Sequence, residues 1–222
     1  GLVAQLRIFD VRCAMFRVPG VSFVVQCIPH RAMTIGILAL QGDFREHEEM
    51  LQRIGAPTLQ VRQPKHLEQV ERLIIPGGES TAIGKLLVLY NLLEPIRARG
   101  RAGMPIWGTC AGAILLARHI AEGRPAGQPA LALMDITARR NAFGRQLDSF
   151  EVNMAIDLLG DQPLNTVFIR APVLENPGPG VTTLATLTDG RIVAAQQGHL
   201  LATCFHPELT GDERFHRYFL EL

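Results

Sequence analysis

The sequence predicts an α/β fold built on a doubly wound, mainly parallel sheet. Two observations carry this expectation. Between residues 35 and 121, apolar runs of strand length alternate with stretches of helical periodicity, which is the pattern of βα units. One of those runs, Met104–Trp107, leads straight into Gly108-Thr109-Cys110-Ala111-Gly112 and then into small helix formers. A strand, a sharp turn and a helix in that order place a reactive side chain above the carboxyl end of a sheet.

In chain order, Ile35–Leu40 reads as the first strand and Asp43–Ile54 as a helix with Phe44, Met50, Leu51 and Ile54 on one face. Thr58–Val61 and Leu73–Ile75 read as strands. The second is followed by the loop Pro76-Gly77-Gly78-Glu79-Ser80 and a helix over Thr81–Tyr90. Leu86, Leu87 and Leu93 suggest the apolar stripe of that helix, and Ser80 can cap it. A helix over Ala113–Ala121 follows the Cys110 turn, and Gly123–Pro129 is a loop too short to separate domains. From about Leu131 the pattern changes to short strands at Leu131–Thr137, Phe150–Met154, Val167–Ala171, Thr182–Leu187, Ile192–Gln197 and Leu200–Phe205. Asp189-Gly190 and Gln197-Gly198 mark hairpin turns. Asp212–Leu222 reads as an amphipathic helix through Phe215, Tyr218 and Phe219.

With 222 residues, 47% of them hydrophobic, the chain can bury a full core as one domain. A formal net charge of +1 gives no electrostatic case for nucleic acid or for an acidic membrane surface. No apolar run reaches membrane-spanning length. Cys13, Cys27, Cys110 and Cys204 form no CxxC pair and have no metal-ligand spacing, so no metal site is expected. A reactive thiol beside unpaired cysteines fits the reducing cytoplasm.

Cys110 sits where only small residues fit on either side, at the start of a helix whose N-terminus favours a thiolate. A buried structural cysteine in a Gly-rich turn is the alternative reading of that stretch alone. The apolar run Leu200–Phe205 ends in His206-Pro207-Glu208. His206 can take the thiol proton while Glu208 fixes its tautomer, although the same tripeptide also suits an ordinary helix entry. The consecutive glycines after Ile75 can expose backbone N–H groups as an oxyanion hole. The loop lacks the spacing and the lysine of a phosphate-binding loop.

These stretches resemble the class I (triad) glutamine amidotransferases, and within them the glutaminase subunits of pyridoxal 5′-phosphate synthases. The likeness rests on Ile35–Gly42, Pro76–Thr81, Gly108–Gly112, Arg140–Glu151, Phe168–Pro172 and Phe205–Glu208, and spans residues 33–222. It implies a single-domain, flavodoxin-like amidotransferase fold with helices on both faces of the sheet. The implied triad is Cys110, His206 and Glu208, with Gly78 and Ala111 at the oxyanion hole. Glutamine would be held by Gly78, Glu79, Ser80, Arg140, Ile169 and Arg170. Arg145 is a further candidate for the substrate carboxylate, but a solvated surface position or a salt bridge to Asp148 or Glu151 suits it better. The reaction expected is hydrolysis of glutamine to glutamate and ammonia, with no metal or organic cofactor. The ammonia would pass to a (β/α)8-barrel synthase subunit that builds pyridoxal 5′-phosphate from ribose 5-phosphate and glyceraldehyde 3-phosphate, in vitamin B6 biosynthesis.

Three other readings stay open. The chain could serve another ammonia-channelling synthase, although Arg140–Glu151 argues against that. It could be a silent binding module of the same fold, against the intact Cys110, His206 and Glu208. It could also be a cysteine peptidase, against the arginines suited to an amino-acid head group. Residues 1–32 stand before the resemblance begins at Met33. Arg7, Asp10, Arg12 and Arg17 rule out a signal-peptide core there. This extension either has no role of its own or adds a strand or arm through Val21–Cys27.

Overall fold

The computed structural model describes residues 7–8, 11–16, 24–29, 33–121, 127–143 and 149–222. The chain divides into two compact units, Gly1–Met33 and Thr34–Leu222. In the first unit, β1 (Arg7–Ile8), β2 (Val11–Phe16) and β3 (Val24–Pro29) form an antiparallel sheet in that order. The strand described within the apolar stretch expected at Val21–Cys27 is therefore β3, and its partner is β2.

The second unit is organised by one large mixed sheet. Its parallel half comprises β4 (Ile35–Leu38), β5 (Thr58–Val61), β6 (Arg72–Ile75), β7 (Ile106–Thr109) and β15 (Leu200–Thr203). Every residue of β4, β7 and β15 is buried, as expected for parallel strands covered on both faces. The sheet continues through β14 (Ile192–Gln197), β12 (Val173–Glu175), β9 (Met134–Arg139) and β8 (Ala117–Ala121). The full order is β5-β4-β6-β7-β15-β14-β12-β9-β8, with β13 (Thr182–Thr186) paired to β14. Separately, β10 (Ser149–Met154) and β11 (Leu164–Ile169) pair as antiparallel strands. Both expected hairpin turns are present. Gly190 has a φ of 84° between β13 and β14, and Gly198 has a φ of 57° between β14 and β15, values that glycine adopts without a Cβ penalty.

The helices are α1 (Phe44–Arg53), α2 (Pro64–Leu67), α3 (Ser80–Leu89), α4 (Leu93–Arg101), α5 (Ala111–Leu116) and α6 (Arg214–Glu221). Two expectations need correcting. The helix predicted over Ala113–Ala121 covers only Ala111–Leu116, and Ala117–Ala121 is strand β8, parallel to β9. The reason lies in the backbone. The Leu115 carbonyl accepts from the amides of Leu131 and Ala132, and the Leu116 carbonyl from Leu133, so the returning segment takes the acceptors of the last turn. Leu93 likewise does not extend the stripe of α3. Asn91 at a φ of 55° ends that helix, Leu93 opens α4, and the buried residues of α3 are Ser80, Ile83, Gly84 and Leu87.

Fully buried Trp107 on β7 packs against Phe215 and Phe219 of α6, with ring centroids at 6.1 Å and 5.6 Å, and donates through Nε1 to Thr203 Oγ1 on β15 at 3.1 Å. Burying each such phenylalanine side chain contributes roughly 1.5–3 kcal/mol. This cluster locks β7 to β15 in the register Thr109↔Thr203. Cys110 and the His206 segment therefore leave the sheet side by side.

Candidate active site

The turn after β7 is as tight as the sequence implies. Cys110 has a φ of 48° and a ψ of −101°, a strained conformation for a residue bearing a Cβ. A methyl group on Gly108 would come within 2.4 Å of the Gly112 backbone, and one on Gly112 within 2.1 Å of the Ile75 carbonyl oxygen. Both glycines are therefore required by close backbone approach. The Cys110 amide donates to the Thr203 carbonyl at 2.8 Å, which ties the turn to the end of β15.

His206 lies two residues beyond Cys204, which is fully buried just past the end of β15. His206 Nδ1 lies 2.7 Å from Glu208 Oε1. Both residues are buried, and Cys110 is a hydrogen-bond partner of the same imidazole. Burial alone would lower the His206 pKa. Hydrogen bonds and charge from Cys110 and Glu208 outweigh it and raise the value to about 10. Glu208 is pushed up by its own burial, an effect opposed by His206. The thiol, imidazole and carboxylate thus stand in sequence in space, as a nucleophile, its base and an orienting acid require.

The Pro76–Ser80 loop faces them. Gly78 has a φ of 145°, and its backbone packs so closely on Gln41 that a Cβ would meet Gln41 Oε1 at 2.6 Å. Gln41 Oε1 also accepts from the Glu79 amide at 2.8 Å. Gln41 thus braces the loop, a role its sequence position does not announce.

Ser80 is not the cap of α3. Glu79 fills that role, accepting from the amides of Thr81 and Ala82, and Ser80 is the first helical residue. A carboxylate reaches two orphan amides of the first turn, and it also suits the positive end of the helix dipole. Partial burial opposes the Glu79 charge, but those two amides, with Arg140 beyond them, hold its pKa below the usual value. Arg140, one residue past β9, lies 3.3 Å from Glu79 Oε1 and donates to Gln128 Oε1 at 3.3 Å. Gln128 Nε2 in turn donates to Ser80 Oγ at 3.3 Å. Arg139 turns away to pair with Glu175.

A pocket of about 380 Å³ opens between these groups. Cys110, Ala111, His206, Gly78, Glu79, Ser80, Arg140, Ile169 and Arg170 all line it, so every residue expected at the site falls there apart from Glu208, which lies buried behind His206. Ile169 contributes its carbonyl, 3.8 Å from Cys110 Sγ. Arg170 is exposed at a φ of 43°. Its guanidinium has no hydrogen-bond or ion-pair partner among the described residues. Arg145 and Asp148 lie outside the described residues, as does most of the loop expected at Gly123–Pro129.

Other residues near the site were not singled out from sequence. Asp43 and Asn141 line the pocket, and His47 and His216 lie buried behind Glu208 and Thr109. His47 could have been found, since it stands at i−3 and i−4 from Met50 and Leu51 on the buried face of α1. Carboxylate and imidazole atoms of Asp43, His206 and Glu208 lie within 4.8 Å of one another. The 2.7 Å contact between His206 Nδ1 and Glu208 Oε1 has the length of a hydrogen bond, so these two are already paired with each other.

A cysteine on an α/β elbow, beside a histidine–carboxylate pair and an arginine-flanked pocket, is the arrangement that an amide hydrolase of the triad type requires. Residues 37–222 match the model of the SNO glutamine amidotransferase family, and the chain belongs to that family. It is 74% identical over 190 residues, 86% of this chain and 100% of the relative, to the pyridoxal 5′-phosphate synthase subunit PdxT of Roseiflexus sp. (strain RS-1). The same-named subunit of Herpetosiphon aurantiacus is 70% identical over the same shares. A crystal structure of a glutamine amidotransferase, 50% identical, superposes with a TM-score of 0.79 over 84% of this chain and 97% of the other. A glutamine amidotransferase from Thermotoga maritima shares the fold, with a TM-score of 0.58 at 15% identity over 86% of this chain and 84% of the other.

Proposed function

We propose that this chain is the glutaminase component of a pyridoxal 5′-phosphate synthase, working through Cys110, His206 and Glu208. The observation that carries this reading is the convergence of Cys110, the His206–Glu208 pair and two arginines on one pocket. The relatives named as PdxT subunits support the pathway. Cys110 thiolate attacks the Cδ carbonyl of glutamine, and the amides of Gly78 and Ala111 receive the oxyanion. Charge on Cys110 is one of the causes holding the proton on His206. As the thiolate becomes a thioester that cause disappears, so His206 gives its proton to the departing ammonia. The neutral imidazole, oriented by Glu208, then deprotonates water, and glutamate leaves. Arg170 and Arg140 hold the substrate head group, with Glu79 and the Ile169 carbonyl as acceptors for its ammonium. The ammonia passes to a synthase subunit, by resemblance a (β/α)8 barrel, in the cytoplasm.

The test is ammonia release from glutamine by the chain with and without that synthase subunit, for the wild type and Cys110→Ala. The variant should lose glutaminase activity while its complex still makes pyridoxal 5′-phosphate from supplied ammonium. Glutaminase activity retained by folded Cys110→Ala would remove Cys110 from the mechanism.

A further inference from the structure

Glu208 presents one oxygen to the catalytic base and the other to a second histidine. Oε1 faces His206 Nδ1, and Oε2 lies 3.5 Å from His47 Nε2 and has no hydrogen bond of ordinary length. His47 comes from α1 and is fully buried. Its Nε2 also lies 3.1 Å from Thr109 Oγ1, on the residue just before Cys110. Its Nδ1 lies 2.9 Å from Nε2 of His216, which comes from α6 and is also fully buried. Trp107 fixes both rings edge-on, with centroids at 5.5 Å and 4.9 Å. The line Cys110–His206–Glu208–His47–His216 therefore joins the elbow to two helices 169 residues apart in sequence.

Each neutral imidazole has one N–H, and two arrangements of the pair are available. If His47 carried its proton on Nδ1 and gave it to His216 Nε2, the bare Nε2 lone pair would face the Glu208 carboxylate. His216 would then carry its proton on Nδ1, a buried atom with no partner. A buried N–H without an acceptor is the costlier kind of orphan, and two lone pairs in opposition add repulsion. In the other arrangement His216 Nε2–H donates to His47 Nδ1, and His47 Nε2–H points between Thr109 Oγ1 and Glu208 Oε2. Only a lone pair on His216 Nδ1 is then left unpaired. Both arguments select this second arrangement.

We propose that His47 is a positioning residue for glutamine hydrolysis: its Nε2–H holds the second oxygen of Glu208, and His216 fixes the tautomer that makes this possible. The proposal rests on the triad reading above. The carboxylate then sits between two N–H groups, the farther at 3.5 Å, which disfavours rotation away from His206 and gives its charged form a second partner. The charged groups facing these residues are few. Glu208 meets His206, His47 and Asp43, whose charge works against its own. His47 meets Glu208, His216 and His206, and His216 meets His47 and feels the charge of Arg53. Burial, aided by His216 and His206 at His47 and by Arg53 at His216, holds both His47 and His216 below the usual histidine range, so each keeps the single N–H that the arrangement requires.

The first measurement needs no substitution. Imidazole nitrogen NMR of the wild-type chain at neutral pH should show His47 and His216 both as neutral Nε2–H tautomers. A proton on His47 Nδ1, or an imidazolium there, overturns the proposal. The second measurement is the pH profile of kcat/KM for glutamine in the complex with the synthase subunit. His47→Ala should move the acid limb to higher pH by about one unit, because Glu208 loses a partner of its charged form, with KM unchanged. His47→Gln, whose amide nitrogen reaches the same place, should move it back. A His47→Ala profile that keeps its acid limb while only thermal stability falls would make His47 a packing residue and overturn the proposal. Full activity of Glu208→Gln would instead sink the triad reading, whereas an inactive Glu208→Gln beside an unmoved His47→Ala profile sinks this proposal alone.

Discussion

Gly77 is pressed against the imidazole of His206: a Cβ on Gly77 would fall 2.4 Å from His206 Cε1 and 2.9 Å from Asp43 Oδ2. The Pro76–Ser80 loop, proposed to offer the oxyanion amides, and His206, the proposed base, are thus one packed unit. His206 cannot yield cheaply, because Glu208 holds Nδ1, the ring atom next to that Cε1, at 2.7 Å.

Gly77→Ala should therefore impair turnover far more than stability. Displacing a reacting group by about 1 Å can cost on the order of 100-fold in rate, and kcat for glutamine hydrolysis should fall by about that factor. Steady-state ammonia release, beside a thermal melt, separates the two effects. A kcat within a few-fold of wild type would mean that the loop gives way without moving His206.

The central sheet and the tight turn that carries Cys110 were legible because their constraints are local. A turn that needs glycine at 108 and 112 writes itself into the sequence, and Leu200–Phe205 running into His206 reads as a strand ending on a base. What stayed hidden depends on distant partners. Ala117–Ala121 has helix-forming residues, yet the carbonyls of Leu115 and Leu116 bond to residues 131–133 and divert it into a strand. Ser80 looked like the cap because serine caps helices, whereas the Glu79 side chain reaches back to the same amides. His47 and His216 meet only after α1 and α6 have packed on Trp107. No spacing in the sequence pairs them.

Arg170 should act on substrate capture. Arg170 lines the pocket and its guanidinium has no partner among the described residues, while Arg140 is already engaged with Glu79 and Gln128. Hydrogen bonds to a charged group contribute about 1.5–3 kcal/mol, so Arg170→Ala should raise KM for glutamine by about 10- to 100-fold with a smaller change in kcat. Initial rates over a wide glutamine range, in the presence of the synthase subunit, provide the check. A loss confined to kcat would move Arg170 from the substrate head group to the chemistry.

The buried histidines should make stability depend on pH in two opposite ways. His206 has a folded-state pKa raised from 6.5 to about 10. The stabilisation it contributes is complete below about 6.5 and is lost as pH rises towards 10. His216 is lowered from 6.5 to about 3, by burial first and Arg53 second, and His47 is also held well below 6.5. For these two the unfolded chain takes up protons that the folded chain refuses, so stability is complete above 6.5 and falls as pH drops from there towards 3. The expected curve of melting temperature against pH has a crest near 6.5 and declines on both sides. His216→Met, which replaces the ring by an apolar chain of similar reach, should flatten the acid side and leave the alkaline side unchanged. Thermal melts of both chains from pH 4 to pH 10 decide the matter. An acid limb as steep in His216→Met as in the wild type would show that groups other than this buried imidazole drive the acid unfolding.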